Sequence, residues 1–179
     1  MENTFLCLLP CKEDSVKLYE CLSEIFFLDV FPCFKLPLHV TLYYFPTPTN
    51  ESNKEVIKWL EIYERKHDGL IIVDIEDVAS FKKNEQDFVY YLPLKSKKIF
   101  DFNSELRQMF GHIYVDPLPF VPHLSLFYPQ RNLNEKERGK VQELFQGINS
   151  ISFDKLAFAS ESSNGIHYIS VRDFGLQFE

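Results

Sequence analysis

LHVTLYYFP at residues 38–46 and PHLSLFYP at residues 122–129 are two versions of one short pattern. Each version contains a histidine, an aliphatic residue, a small hydroxyl residue, leucine, two aromatic residues and a proline. The alternation of side chains predicts a β-strand in both places, and the proline is expected to end each strand. The two histidines, His39 and His123, are 84 positions apart in the numbering. This repeated strand is the feature from which the fold can be predicted.

The segments around the two stretches have a similar order of apolar periodicity. Strands are predicted over 3–9, 39–45, 70–75, 88–94, 123–128, 151–159 and 166–171. Helices are predicted over 13–28, from a capping box Ser52-x-x-Glu55 to Gly69, over 97–110, and from a capping box Asn134-x-x-Glu137 to Gly147. Both halves read strand, helix, strand, helix, strand. No linker or low-complexity segment separates them.

This internal duplication predicts a single α+β domain over 1–179 with two pseudo-symmetric lobes. We place the lobes at about 1–80 and 86–179 and leave open whether they interleave. A parallel doubly wound sheet is the competing architecture, and the pattern favours the two-lobed one. We expect antiparallel sheets with a central cleft between them and the helices on the outside.

The spacing within each stretch places its polar side chains on one face of the strand. His39 and Thr41 share a face, and so do His123 and Ser125, while the intervening aliphatic residues face the other way. If the two strands meet, one cleft would hold two imidazoles and two hydroxyls. One imidazole could take a proton and the other supply one, because histidine titrates near pH ~6.5. The hydroxyls could donate hydrogen bonds to the oxygens of a phosphate.

With these motifs the chain resembles the two-histidine (2H) phosphoesterases. The signature of that family is a pair of His-x-Thr/Ser motifs with hydrophobic flanks, and both motifs match it here. The resemblance implies a bilobal α+β fold and hydrolysis without a metal or other cofactor. It further implies that His39 and His123 are acid and base and that Thr41 and Ser125 hold the phosphate. The substrates it implies are ribose 2′-linked phosphodiesters, namely 2′,3′-cyclic phosphates, 2′-5′ oligonucleotides and cyclic oligonucleotides.

Three aromatic residues are candidate substrate-binding residues. Tyr43 and Phe127 have the same strand parity as the histidines, so they could line the cleft and stack on a base. Tyr168, on the last predicted strand, could also face the substrate. Packing in the core competes with this interpretation, because aromatic residues on strands commonly pack there.

Composition limits the class of protein and of partner. The formal net charge of −7 argues against binding of long duplex nucleic acid and favours a nucleotide or a short RNA or oligonucleotide. No apolar run is long enough for a membrane span, and no secretory signal is recognisable at the N-terminus, so we expect a cytoplasmic protein, with a monomer assumed. The four cysteines lack metal-ligand spacing and are expected to be free thiols.

Two other functions are compatible with the motifs. The first is a non-catalytic protein that binds a nucleotide or an RNA end in the same cleft. The second is a metal site at His39 and His123, which we rank last because two ligands are too few for a structural site. The sequence does not distinguish which histidine is the base.

Overall fold

The computed structural model describes residues 3–27, 30–32, 37–63, 69–116, 118–162 and 165–173. Within these ranges the chain forms nine β-strands, four α-helices and a short 3₁₀ helix at Glu24–Phe27. The strands are β1 (Asn3–Pro10), β2 (Val30–Pro32), β3 (Val40–Phe45), β4 (Ile71–Ile75), β5 (Ala79–Lys83), β6 (Gln86–Lys95), β7 (His123–Pro129), β8 (Ser150–Ser162) and β9 (Gly165–Asp173). The helices are α1 (Lys12–Ser23), α2 (Asn50–Tyr63), α3 (Lys97–Phe110) and α4 (Glu135–Phe145).

All described strands belong to one antiparallel sheet. Its order is β2-β7-β6-β4-β8-β1-β3, with β5 paired to β6 and β9 paired to β8. Strand β4 therefore joins two half-sheets, one built on β8 and the other on β6. Although β3 and β7 are near opposite ends of this order, they contact each other, so the sheet curls and its two halves approach. The predicted α+β class is confirmed.

The two halves of the sequence exchange strands. β8 and β9, from the C-terminal part of the chain, pair next to β1, whereas β2 pairs with β7. Helix α3 packs against β3, although the two come from different halves of the sequence. Elements from the two halves of the sequence are thus interleaved, and each of the two motif strands depends on segments from both halves of the chain.

The buried residues form two clusters on the sheet. The larger cluster contains the apolar faces of the helices, for example Leu18 of α1, Leu60 of α2 and Leu106 of α3, together with one face of the strands. The smaller cluster consists of Phe5, Cys7, Ala157 and Ala159, with Leu9, Tyr44 and Ile166 packed against it. The helices stabilise the sheet through the larger cluster, while the smaller one underlies the pocket described below.

A buried carboxylate holds the β5–β6 hairpin in place. Asp87 accepts hydrogen bonds from Ser80 Oγ (2.8 Å) and Tyr90 Oη (2.7 Å), and its Oδ2 lies 3.1 Å from Arg138 Nη2 of α4. The carboxylate is buried, so these partners replace the water that it loses on folding. Phe81 of β5 contacts the imidazole of His123, so this network also helps to hold that histidine in place.

Most predicted elements are found, with differences at their ends. Helix α3 spans 97–110 as predicted, and the Asn134–Glu137 capping box is confirmed. The predicted box at Ser52 is wrong, because Ser52 lies inside α2, which begins at Asn50, and exchanges hydrogen bonds with Thr49. Helix α1 gives way to the 3₁₀ turn after Ser23. Residue 28, the predicted end of the first helix, lies outside the described residues, and so do residues 64–68, which precede the predicted end of the second helix at Gly69.

Strands β2 and β5 were not predicted. The β5–β6 hairpin turns through Asn84 and Glu85, both with positive φ (51° and 63°). Such a turn normally contains glycine as its second residue, so Asn-Glu gave no recognisable hairpin signal.

No helix in the described part of the chain is long and apolar enough to cross a membrane.

Candidate active site

A pocket of about 190 Å³ lies where β3 and β7 meet. Both histidines and both motif hydroxyls, those of Thr41 and Ser125, line it. The remaining lining residues come from β1, β8, β9 and the segments around the motifs: Phe5, Pro37, Tyr44, Tyr128, Glu161 and Ile166. The structure thus brings together the four residues that the two motifs singled out.

The two imidazoles are held in the same way. His39 Nδ1 lies 2.8 Å from the carbonyl oxygen of Pro37, and His123 Nδ1 lies 2.7 Å from that of Val121. A carbonyl oxygen can only accept, so Nδ1 carries the hydrogen and donates it in both rings. Nε2 is consequently the atom of each ring that is left to take up or release a proton.

Aromatic contacts fix the planes of the two rings. The imidazole of His39 stacks on Phe5 at 5.1 Å between centroids, with 28° between the planes. The imidazole of His123 meets the rings of Phe81 (4.9 Å) and Tyr91 (5.3 Å) edge-on. These contacts restrict ring rotation and partly remove both imidazoles from water.

The surroundings lower the pKa of both histidines. For His39 the main cause is burial, which disfavours the charged ring; the bond to Pro37 opposes this effect, and the charge of His123 adds to it. For His123 the pKa is lowered by burial and raised in part by the bond to Val121. A proton on either ring disfavours a proton on the other, so the pair carries at most one proton in its charged form.

A β-bulge follows each motif hydroxyl and changes the strand parity. In the pairing of β3 with β1, Leu6 lies opposite Tyr43 but the next residue, Cys7, lies opposite Thr41. In the pairing of β7 with β6, Tyr90 lies opposite Phe127 and Tyr91 lies opposite Ser125. One extra residue, Leu42 or Leu126, is therefore accommodated at the same place in each motif.

The bulges correct the prediction for Tyr43 and Phe127. We expected these side chains on the face of the histidines, yet they are buried in the larger core cluster. Tyr43 donates a hydrogen bond to the carbonyl of Tyr114, and Phe127 stacks on Tyr90 at 4.9 Å. The following residues, Tyr44 and Tyr128, line the pocket in their place.

A larger, mostly apolar groove of about 470 Å³ adjoins the pocket. The two cavities share Thr41, Tyr44, His123, Ser125 and Tyr128. Tyr43 of β3 also borders the groove. From there the groove continues along aromatic and aliphatic side chains of β5, β6 and the segment before β7. These side chains are Phe81, Phe88, Val89, Leu118, Pro119, Phe120 and Val121.

Polar contacts from α3 tie the wall of this groove to β3. Asn103 Nδ2 donates to the carbonyl of Leu42 (2.7 Å), and Arg107 Nε donates to Asn103 Oδ1 (3.1 Å). The guanidinium of Arg107 also donates to the carbonyls of Asp116 (3.2 Å) and Leu118 (3.0 Å). Since Leu42 is the bulge residue, this network holds the motif strand and the groove wall together.

The remaining predicted residues lie outside the pocket. Tyr168, on β9, is exposed and is not among the residues that line the described cavities. Cys7, Cys11 and Cys21 are free thiols, as predicted, and Cys33 lies outside the described residues. Within the described ranges, no three His, Cys, Asp or Glu side chains are grouped so that they could hold a metal ion.

Six residues of the pocket were not predicted from the sequence: Phe5, Pro37, Tyr44, Tyr128, Glu161 and Ile166. The second aromatic residue of each motif was a usable signal for Tyr44 and Tyr128, because both motifs have one. Glu161 and Ile166 carry no such signal, since they reach the pocket only through the pairing of β8 with β1 and β9.

The fold is that of several solved proteins, one of which is named a phosphoesterase and is 14% identical, with a TM-score of 0.69 over 98% of this chain and 99% of that one. TT0787 of Thermus thermophilus is 15% identical, with a TM-score of 0.66 over 97% of this chain and 98% of that one. LigT of E. coli, in a complex with 3′-AMP, is 13% identical, with a TM-score of 0.66 over 98% of this chain and 99% of that one. Usb1 of Kluyveromyces marxianus is 11% identical, with a TM-score of 0.54 over 97% and 98%. No family model matches the sequence, and a comparison with curated proteins finds no significant match.

Proposed function

We propose that this chain, which has the fold expected from its resemblance to the two-histidine phosphoesterases, is a metal-independent phosphodiesterase. The observation that carries the proposal is the shared lining of one pocket by two imidazoles and two hydroxyls from β3 and β7. Each imidazole keeps Nε2 for proton transfer, because Nδ1 is bound to a backbone carbonyl. A pair of acid/base groups on either side of one bond is the arrangement that phosphodiester hydrolysis needs.

We assign His39 as the general base and His123 as the general acid. The contact of His39 with Pro37 is partly buried whereas that of His123 with Val121 is exposed, so the charged ring is better solvated at His123 and a neutral His39 can accept a proton at Nε2. His39 then removes a proton from water as its oxygen bonds to phosphorus. The phosphorus–oxygen bond to the ribose 2′ oxygen breaks, and His123 Nε2 gives its proton to that oxygen. Proton exchange with solvent restores the starting state.

Thr41 and Ser125 hold the phosphate in this scheme. Their hydroxyls donate hydrogen bonds to the non-bridging oxygens, on which negative charge builds up during attack. Since each hydroxyl lies two residues after its histidine, each strand presents one proton-transfer group and one donor. The bulges keep these donors on the pocket face while turning the next residues.

The apolar groove is suited to the nucleoside part of the substrate. Tyr44 and Tyr128 border both cavities, and aromatic faces stack on bases with little regard to sequence. LigT of E. coli has been solved with 3′-AMP, NADP+ and ATP, which makes a nucleotide the natural candidate here. The net charge of −7 favours small nucleotides or oligonucleotides over long duplexes. The ribose 2′ linkage of the proposed substrate is what the resemblance to the two-histidine phosphoesterases implies.

A panel of such diesters tests the proposal. We expect turnover of a nucleoside 2′,3′-cyclic phosphate, a 2′-5′ dinucleotide or a cyclic dinucleotide by the wild-type protein, read out as product mass. A variant with both histidines replaced by alanine should release no product. Stoichiometric binding of every panel member without any product would instead favour a protein that only binds nucleotides.

A further inference from the structure

Glu161 is the one carboxylate among the described residues that line the histidine pocket. It lies near the end of β8, opposite Asn3 of β1 and Ile166 of β9, and its side chain is exposed. It forms no salt bridge with the described lysine, arginine or histidine residues. Its charge adds to the effect of burial in raising the pKa of Tyr44, which lines the same pocket.

A carboxylate is an unusual residue to place where a phosphate should bind. The described lining contains no lysine or arginine, so the histidines are its only source of positive charge. With one proton on the pair, the pocket offers one positive charge at the histidines and one negative charge at Glu161. A phosphodiester carries one negative charge, whereas a phosphomonoester carries close to two above pH ~6.

We propose that Glu161 is a specificity-determining residue that excludes phosphomonoesters from the histidine pocket. It repels a dianion twice as strongly as a monoanion at the same place. The pocket therefore accepts the diester substrate and releases the monoester product. This inference rests on the proposed function, since it assumes that phosphate binds between the histidines.

The ratio between the effects of Glu161 on a dianion and on a monoanion does not depend on the distance to its carboxylate. Coulomb energies are proportional to the ligand charge, so removal of the carboxylate gains twice the free energy for a dianion as for a monoanion. If Glu161→Gln strengthens binding of a monoanion by some factor, it should strengthen binding of the matching dianion by the square of that factor. Factors of about threefold and about tenfold are reasonable for a partly solvated site.

A ligand pair that differs by one methyl group tests this. The assay is run at about pH 7.5, above the expected optimum of turnover, because 2′-deoxyadenosine 3′-monophosphate is then the dianion while its phosphate methyl ester is the monoanion. Inhibition constants for both would be measured against turnover of a 2′,3′-cyclic nucleotide, in wild type, Glu161→Gln and Glu161→Asp. Glu143→Gln, on the outer helix α4, gives the same change in net charge away from the pocket.

We expect Glu161→Gln to lower the inhibition constant of the monophosphate by the square of the factor found for the methyl ester. Glu161→Asp and Glu143→Gln should change both inhibition constants little. The difference should shrink in about 0.5 M salt, where the screening length is only a few ångströms. The inference would be overturned if Glu161→Gln changed both inhibition constants by the same factor, changed neither, or weakened binding of both ligands. Turnover by the wild type would still support the proposed function in those cases. Absence of turnover in the wild type, with neither ligand bound, would instead remove the proposed function and this inference with it.

Discussion

His39 and His123 are oriented by the same backbone contact, since the Nδ1 atom of each lies within 2.8 Å of the carbonyl oxygen two residues earlier in the chain. Each contact joins residues only two positions apart, so it depends on the backbone just before the strand and not on distant parts of the chain. It fixes the tautomer of both rings and directs both Nε2 atoms to the chemistry. The two rings differ in their surroundings, and the proposed assignment of base and acid is based on that difference.

The pH profile should reflect the lowered pKa values of both histidines. The active form needs His39 neutral and His123 protonated, so kcat/KM should rise through the pKa of His39 and fall through that of His123. Burial lowers both values from the usual ~6.5, which places the optimum of kcat/KM below about pH 6.5. The negative charge of bound substrate should move both limbs of the kcat profile to higher pH. A kcat/KM that keeps rising above about pH 8 would be incompatible with this assignment.

Removal of either motif hydroxyl should slow the chemical step. Thr41→Val keeps the shape of the side chain and loses its donor, as does Ser125→Ala, so kcat should fall by about 10²- to 10³-fold in each. Thr4→Val is a matched control, because the buried Thr4 hydroxyl has no partner among the described residues and lies outside the pocket. Steady-state kinetics of the three variants would show this. A loss of activity in Thr4→Val as large as in Thr41→Val would point to a structural effect instead.

The bulges predict opposite effects for adjacent tyrosines. Tyr44→Ala and Tyr128→Ala should raise KM by about 5- to 150-fold if each ring stacks on the substrate, which corresponds to about 1–3 kcal/mol. Tyr43→Phe removes only the hydroxyl that donates to the carbonyl of Tyr114. It should therefore lower the free energy of unfolding by about 1 kcal/mol and leave KM nearly unchanged. The strand register described here would be incorrect if Tyr43→Phe altered KM and Tyr44→Ala did not.

Asn103 should act on the site through β3. In Asn103→Leu the carbonyl of Leu42 loses its donor and Arg107 loses an acceptor, at a cost of about 1–3 kcal/mol in unfolding free energy. We also expect kcat to fall, because the bulge positions Thr41. Ser104→Ala, on the exposed side of the same helix, should be close to neutral in both measurements. Denaturant unfolding and kinetics on the same samples would separate loss of fold from loss of geometry.

The sequence predicts most of the elements and the four central pocket residues because both have local signatures. Helix α3 has a clear apolar stripe, and its predicted bounds of 97–110 agree with the structure. The His-x-Thr and His-x-Ser spacing fixes the face of each strand only up to the hydroxyl. Beyond the hydroxyl, no sequence signal indicates the bulge, because each leucine is followed by two aromatic residues and either one could face the pocket.

The parts that could not be predicted depend on contacts distant in sequence. Glu161 enters the pocket because β8 pairs with β1 across more than half of the chain, and no short pattern encodes that pairing. The interleaving of the lobes has the same origin, since an internal repeat describes the order of elements and not their partners. The acid and base roles depend on how deeply each imidazole is buried, which the two near-identical motifs do not reveal.

Turnover of a nucleoside 2′,3′-cyclic phosphate in excess chelator, with His39 and His123 replaced singly and together, tests the central claim most directly. We expect full wild-type activity in chelator and a loss of about 10²- to 10⁴-fold in His39→Ala and in His123→Ala. The double variant should be little worse than either single one, because the two rings act as a unit. Activity that disappears with chelator but survives in His123→Ala would contradict it.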